Sequence, residues 1–105
     1  MTNPKLNKIK DFLLIDDAFN MLKVIDRLNP IALPTNRLCT IKEVSTTMGL
    51  SLKDTWDMIN IAGDCGLVAF YGGVLSRKRI DLTEDGEKIS RCNTPNEIRE
   101  VLNGL

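Results

Sequence analysis

Three consecutive basic residues, Arg77, Lys78 and Arg79, and a polar stretch from Ser51 to Asn60 hold the side chains best placed to do chemistry. Arginine and lysine neutralise phosphate, and each phosphate contact on a duplex releases condensed counterions. Lys53 and Asn60 are able readers of base edges or phosphate. Asp54 and Asp57 in the same stretch repel phosphate, although a carboxylate accepts from cytosine N4. Trp56 has two readings: a large ring absorbed by packing between helices, or an exposed anchor for a protein partner. Phe70 and Tyr71 carry the same ambiguity.

Catalysis finds little support. The sequence has no histidine, the side chain best poised for acid–base work near neutral pH. It also lacks a Gly-x-Ser-x-Gly elbow and a Gly-x-x-x-x-Gly-Lys-Ser/Thr phosphate loop. The adjacent carboxylates Asp16-Asp17 and Glu84-Asp85 fall at expected helix starts, where they complement the helix dipole. Cys39, Cys65 and Cys92 are odd in number and far apart, which fits neither a disulfide framework nor a zinc cluster, and they read as small apolar fillers. Asp64 beside Cys65 disfavours a thiolate. No enzyme activity, cofactor or metal is expected.

The elements that must position these residues can be read from caps and periodicity. Thr40 stands three before Glu43, the reciprocal capping pattern at a helix start. Ile41, Val44 and Met48 follow at helical spacing, and Gly49 ends the helix. Ser51 is a second N-cap, with Asp54 at the third helical position. Leu52, Thr55, Ile59 and Ala62 form one expected buried stripe, and Gly66 closes that helix. The pair at 40–65 is a helix-turn-helix. Gly66-Leu67-Val68 then opens a β segment ending at Ile80-Asp81-Leu82, and Thr83 starts another helix. Gly72-Gly73 alone would make a two-residue hairpin turn. Pairing Val68 with the Ile80–Leu82 end makes 72–76 a looser loop, and this second pairing is preferred because it anchors both strand ends. Along the last strand Ile80 and Leu82 face one way, and Arg77, Arg79 and Asp81 the other.

Thr40 to Glu43, Gly49 to Ser51, Gly66 to Val68 and Leu82 to Gly86 together resemble the small winged-helix transcription regulators of bacteria and archaea, broadly MarR-like or PadR-like. The resemblance implies a mostly α fold with a small β-hairpin wing, a winged helix-turn-helix with additional N- and C-terminal helices, in one domain over 1–105. The helix-turn-helix would span about 40–65, the wing about 66–82, and the terminal helices about 4–28 and 83–104. Arg37-Leu38-Cys39 would supply the small third strand. The implied function is a DNA-binding transcription regulator. Its Ser51–Gly63 helix would enter the major groove of double-stranded DNA, with Arg77, Lys78 and Arg79 on the backbone. The expected DNA-binding set is Ser51, Lys53, Asp54, Trp56, Asp57, Asn60, Arg77, Lys78 and Arg79. The alternative is a winged-helix adaptor that binds protein through the acidic helix and aromatic wing.

Size and composition agree with a single core. At 105 residues, 43% apolar and 27% charged, the chain reads as an ordinary globular domain. No apolar run approaches a membrane span and no leader precedes it, so a soluble cytoplasmic protein is expected. Fourteen basic and fourteen acidic residues give zero formal charge, where a DNA-binding domain usually has a basic excess, at least locally.

Outside the framework, Asn3-Pro4 is expected to open a first helix with Leu6, Ile9 and Leu13 on one face. A second should start near Asp16-Asp17 and bury Ala18, Phe19, Leu22 and Ile25 until Asn29-Pro30 ends it. The segment 31–36 reads as a loop. Thr94-Pro95-Asn96-Glu97 should cap a last helix carrying Ile98, Val101, Leu102 and Leu105. The two terminal apolar stripes are expected to make a homodimer interface.

Overall fold

Helix boundaries follow the capping residues. In the computed structural model, which describes residues 4–30 and 34–105, six helices and one hairpin form. Asn3, the expected cap, and residues 31–33 of the expected loop lie outside the described residues. The helices are α1 (Pro4–Leu13), α2 (Ala18–Leu28), α3 (Ile41–Met48), α4 (Leu52–Asp64), α5 (Glu84–Ser90) and α6 (Pro95–Asn103). The strands are β1 (Val68–Phe70) and β2 (Ile80–Leu82), so the chain is mostly helical with a small antiparallel hairpin.

At α3 and α4 the caps hold as the spacing predicts. Glu43 N–H donates to Thr40 Oγ1 at 3.2 Å, and Thr40 N–H to Glu43 Oε1 at 3.3 Å. Gly49 ends α3 with φ 69°, and the Ser45 hydroxyl donates to Leu50 O at 2.7 Å across the turn. Ser51 Oγ then accepts from Asp54 N–H at 3.1 Å. At α6, Thr94 Oγ1 accepts from Glu97 N–H, but the Glu97 carboxylate accepts from Asn93 N–H rather than closing on Thr94.

The buried stripe of α4 differs from expectation at one end. Thr55, Ile59 and Ala62 are fully buried, and Met58 nearly so, but Leu52 is 44% exposed. Thr55 takes the core position by donating its hydroxyl to Ser51 O at 2.9 Å, which satisfies the buried oxygen. Leu52, at the first turn, faces the hairpin connection instead, in a hollow shared with Trp56 and Leu75.

Hairpin register follows the anchored pairing: Val68 opposite Leu82, Ala69 opposite Asp81, Phe70 opposite Ile80. Pairing continues one step further, with Tyr71 N–H donating to Arg79 O and Arg79 N–H to Gly72 O, both at 2.9 Å. Gly72 and Gly73, at φ 86° and 87°, enter a loop that turns through a 3-10 segment at Leu75–Arg77. The expected third strand is reduced to a bridge between Thr40 and Arg79, supported by Ile80 N–H on Cys39 O at 3.0 Å. Arg37 belongs to a separate 3-10 turn, Thr35–Arg37.

Two polar joints fix the frame. Buried Asn29 accepts from Cys39 N–H at 2.9 Å and donates to Ile80 O at 3.0 Å and Asp81 Oδ1 at 3.2 Å, tying the end of α2 to the hairpin. Thr83 donates its hydroxyl to Gly66 O at 2.6 Å, donates its N–H to Leu67 O, and accepts from Gly86 N–H at 3.1 Å. That explains Leu-Thr-x-x-Gly: a Cβ on Gly86 would collide with the Leu67 carbonyl.

The terminal helices are not free stripes. Ile9 and Phe12 of α1 are fully buried, with Leu6 and Leu13 packed beside them. Leu102 of α6 is buried, and Ile98, Val101 and Leu105 lie against the same core. Ile9, Phe12 and Leu102 find their cover inside the chain, while Leu6, Leu13, Ile98, Val101 and Leu105 stay partly exposed. Among the described residues, no helix is long and apolar enough to cross a membrane.

Candidate functional site

Helix α4 has three edges, set by its 3.6-residue period. Thr55, Ile59 and Ala62 face the core. Leu52, Lys53, Trp56 and Gly63 face the hairpin, where Gly63 lies under the Phe70 ring. Asp54, Asp57, Met58 and Ile61 face the turn between α1 and α2, opposite Ile15, Asp16 and Asp17. The N-terminus of α3 stands beside the hairpin connection, with Ile41 N–H on Lys78 O at 3.2 Å.

The predicted basic triplet does not form one face. The Arg79 guanidinium donates to Leu38 O at 2.6 Å and lies 4.0 Å from Glu43, so it holds the hairpin to the start of α3. Lys78 folds back into the seam, its Nζ 5.0 Å from the Phe70 ring centre and 5.7 Å from that of Trp56. Arg77 alone is exposed and without an ion-pair partner among the described residues. Trp56 is half-buried, one part packed on the core and the other lining the hollow with Leu52 and Leu75.

The polar set on α4 is partly engaged. Lys53 pairs with Asp57 at 3.3 Å, on an exposed surface where such a pair contributes little. The Asn60 amide donates to Trp56 O at 2.8 Å, one turn back. Ser51 is occupied as the cap, and Asp54 keeps its carboxylate free of any cation among the described residues.

No family model, curated protein or solved structure matches the chain.

At the start of α3 and along the hairpin connection, Lys42, Arg77 and Lys78 have no carboxylate partner among the described residues, while Glu43 and Asp57 are engaged with Arg79 and Lys53. Lys78 reaches over Trp56 of α4, whereas Arg77 lines a separate hollow with Thr35, Asn36, Tyr71 and Arg79. On the edge of α4 that faces the α1–α2 turn, Asp16, Asp17 and Asp54 share one depression with Asp57, none of the three paired to a cation among the described residues. Lys42 is not singled out by the sequence, because its neighbourhood depends on the hairpin folding against α3. The Asp16-Asp17 pair reads in sequence as dipole compensation, yet Asp17 makes no side-chain cap bond and sits in the left-handed region at φ 68°. No local pattern places it opposite a helix nearly forty residues later.

The thiols take no part. All three are free and buried. Burial pushes the Cys39 thiol up to about 12 against the Asn29 hydrogen bond, and burial is also the first cause raising Cys65 and Cys92. Among the described residues, no group of three or more potential metal ligands comes together.

Proposed function

We infer that the chain is a winged-helix DNA-binding regulator acting in the cytoplasm. The observation that carries this reading is that the start of α3 and the hairpin connection bonded to it carry three basic residues, Lys42, Arg77 and Lys78, with no carboxylate partner among the described residues. Helix α4 would present its N-terminal half to the major groove, with Lys53 released from its weak surface pair. Arg77 and Lys42 would hold phosphates on either side. Arg79 acts as a brace for the hairpin rather than as a DNA ligand.

Salt dependence tests the reading. Every phosphate that a protein neutralises on B-DNA adds about 0.9 to the steepness of the log–log salt slope. Lys42→Ala with Arg77→Ala, which together give up two phosphates, should flatten the slope on random duplex by about 1.8. An unchanged slope, or no binding at low salt, removes the DNA reading.

A second reading is favoured by a different observation. Leu75 is 73% exposed beside Leu52 and Trp56, and its chain neighbour Val74 is 72% exposed, an apolar surface that a phosphate backbone does not need. In the adaptor reading this hollow receives a protein side chain. Leu75→Ser would then weaken partner binding and leave any DNA affinity unchanged.

A further inference from the structure

The opposite edge of α4 has the features of a second docking surface. Its floor is apolar: Ile15 from the α1–α2 turn and Ile61 from α4 are both partly exposed, over nearly buried Met58. The rim is acidic, with Asp16 and Asp17 on one bank and Asp54 and Asp57 on the other, around a depression of about 300 Å³. A neighbouring depression of about 350 Å³ continues it along α4, sharing Ile15 and Ile61 and adding Asp11 and Asp64, with Lys8 the basic residue there. From Asp54 to Asp64 the helix runs about 15 Å, the length of nearly three helical turns.

We propose that this groove binds a basic amphipathic helical segment of another protein. Apolar side chains of the segment lie between Ile15 and Ile61, and its lysines or arginines meet the four carboxylates. The occupant follows from charge complementarity: of the four rim carboxylates only Asp57 has a cation among the described residues, and that pair is exposed and weak. An apolar strip flanked by charge selects an amphipathic helix, with anchors at i, i+3, i+4 and i+7. The inference stands apart from DNA binding, because it uses the other edge of α4.

The probe is a synthetic peptide of about three turns, with leucines at helical spacing and lysines on both flanks. Two controls accompany it: the same leucine pattern with glutamates, and a scrambled peptide of equal charge. The full chain should bind the first at least tenfold more tightly than either control. Amide shifts in NMR should change most at residues 14–17 and 54–64. Asp16→Asn, Asp17→Asn and Asp54→Asn together should weaken binding at least tenfold, asparagine being tolerated at the left-handed position 17. Ile61→Gln, which leaves charge unchanged and alters an already part-exposed site, should do the same. Equal binding of either control peptide, shifts centred on 72–79, or unaltered affinity in a folded Ile61→Gln variant would overturn the proposal. So would a dimer in sedimentation that Ile61→Gln abolishes, since a second copy would then fill the groove.

Discussion

One buried amide holds together three segments that are far apart in sequence. Asn29 supplies the acceptor for Cys39 N–H and donors for Ile80 O and Asp81, in a place where water cannot replace them. Removing it leaves a buried donor and a buried acceptor without partners, each costly because their desolvation is no longer offset. Asn29→Ala should therefore lower stability by about 2–3 kcal/mol. For a domain of this size that is a fall of about 10 °C or more in thermal midpoint. A midpoint within about 2 °C of wild type would show that the joint carries little of the fold. The sequence marks Asn29 only as the residue before a proline, which ends a helix. Its side-chain role is not legible there, because both partners are reached only through tertiary folding.

Among the elements, α5 and β1 illustrate how a local pattern and a tertiary contact compete. Glycine inside a helix is ordinarily less favourable than alanine by about 1 kcal/mol. On propensity alone, Gly86→Ala should stabilise α5. Yet the added methyl would meet the Leu67 carbonyl, which is rigid backbone and itself accepts from Thr83 N–H. Overpacking against backbone costs about 1–3 kcal/mol, so the clash outweighs the propensity and Gly86→Ala should destabilise. A raised denaturation midpoint would show that α5 slides away from β1 freely. The starts of α3, α4, α5 and α6, both turns of the α3–α4 pair and the strand register are legible in the sequence, because each is written in a cap, a glycine or an alternation within a few residues. The end of the α4 stripe is not. Leu52 has the right spacing for burial, but the core stops short of the first turn and Thr55 satisfies itself there. The terminal stripes are legible as apolar faces, while which of their residues the chain itself buries, Ile9, Phe12 and Leu102, depends on tertiary packing.

Over the whole molecule, zero formal charge conceals local imbalance: among the described residues, cations without a carboxylate partner lie at the start of α3 and on the hairpin connection, and carboxylates without a cation lie between α4 and the α1–α2 turn. Ionic strength distinguishes the contributions. At 0.01 M salt the Debye length is about 30 Å, so every carboxylate of this molecule repels an approaching duplex. At 0.15 M it is about 8 Å, and only charges next to the DNA still matter. Asp57 lies beside Lys53 at the border of the hairpin-facing and turn-facing edges of α4, and Asp16 lies across the groove on the far bank. In the DNA reading, Asp57→Asn both removes a repulsion and frees Lys53, so binding to random duplex should tighten at low and at physiological salt. Asp16→Asn should tighten it at low salt alone. The comparison requires only the two single variants and wild type on one duplex across a salt series. Equal effects of the two substitutions at 0.15 M would mean that the duplex does not approach along the hairpin edge, and the orientation proposed for α4 would fall with it.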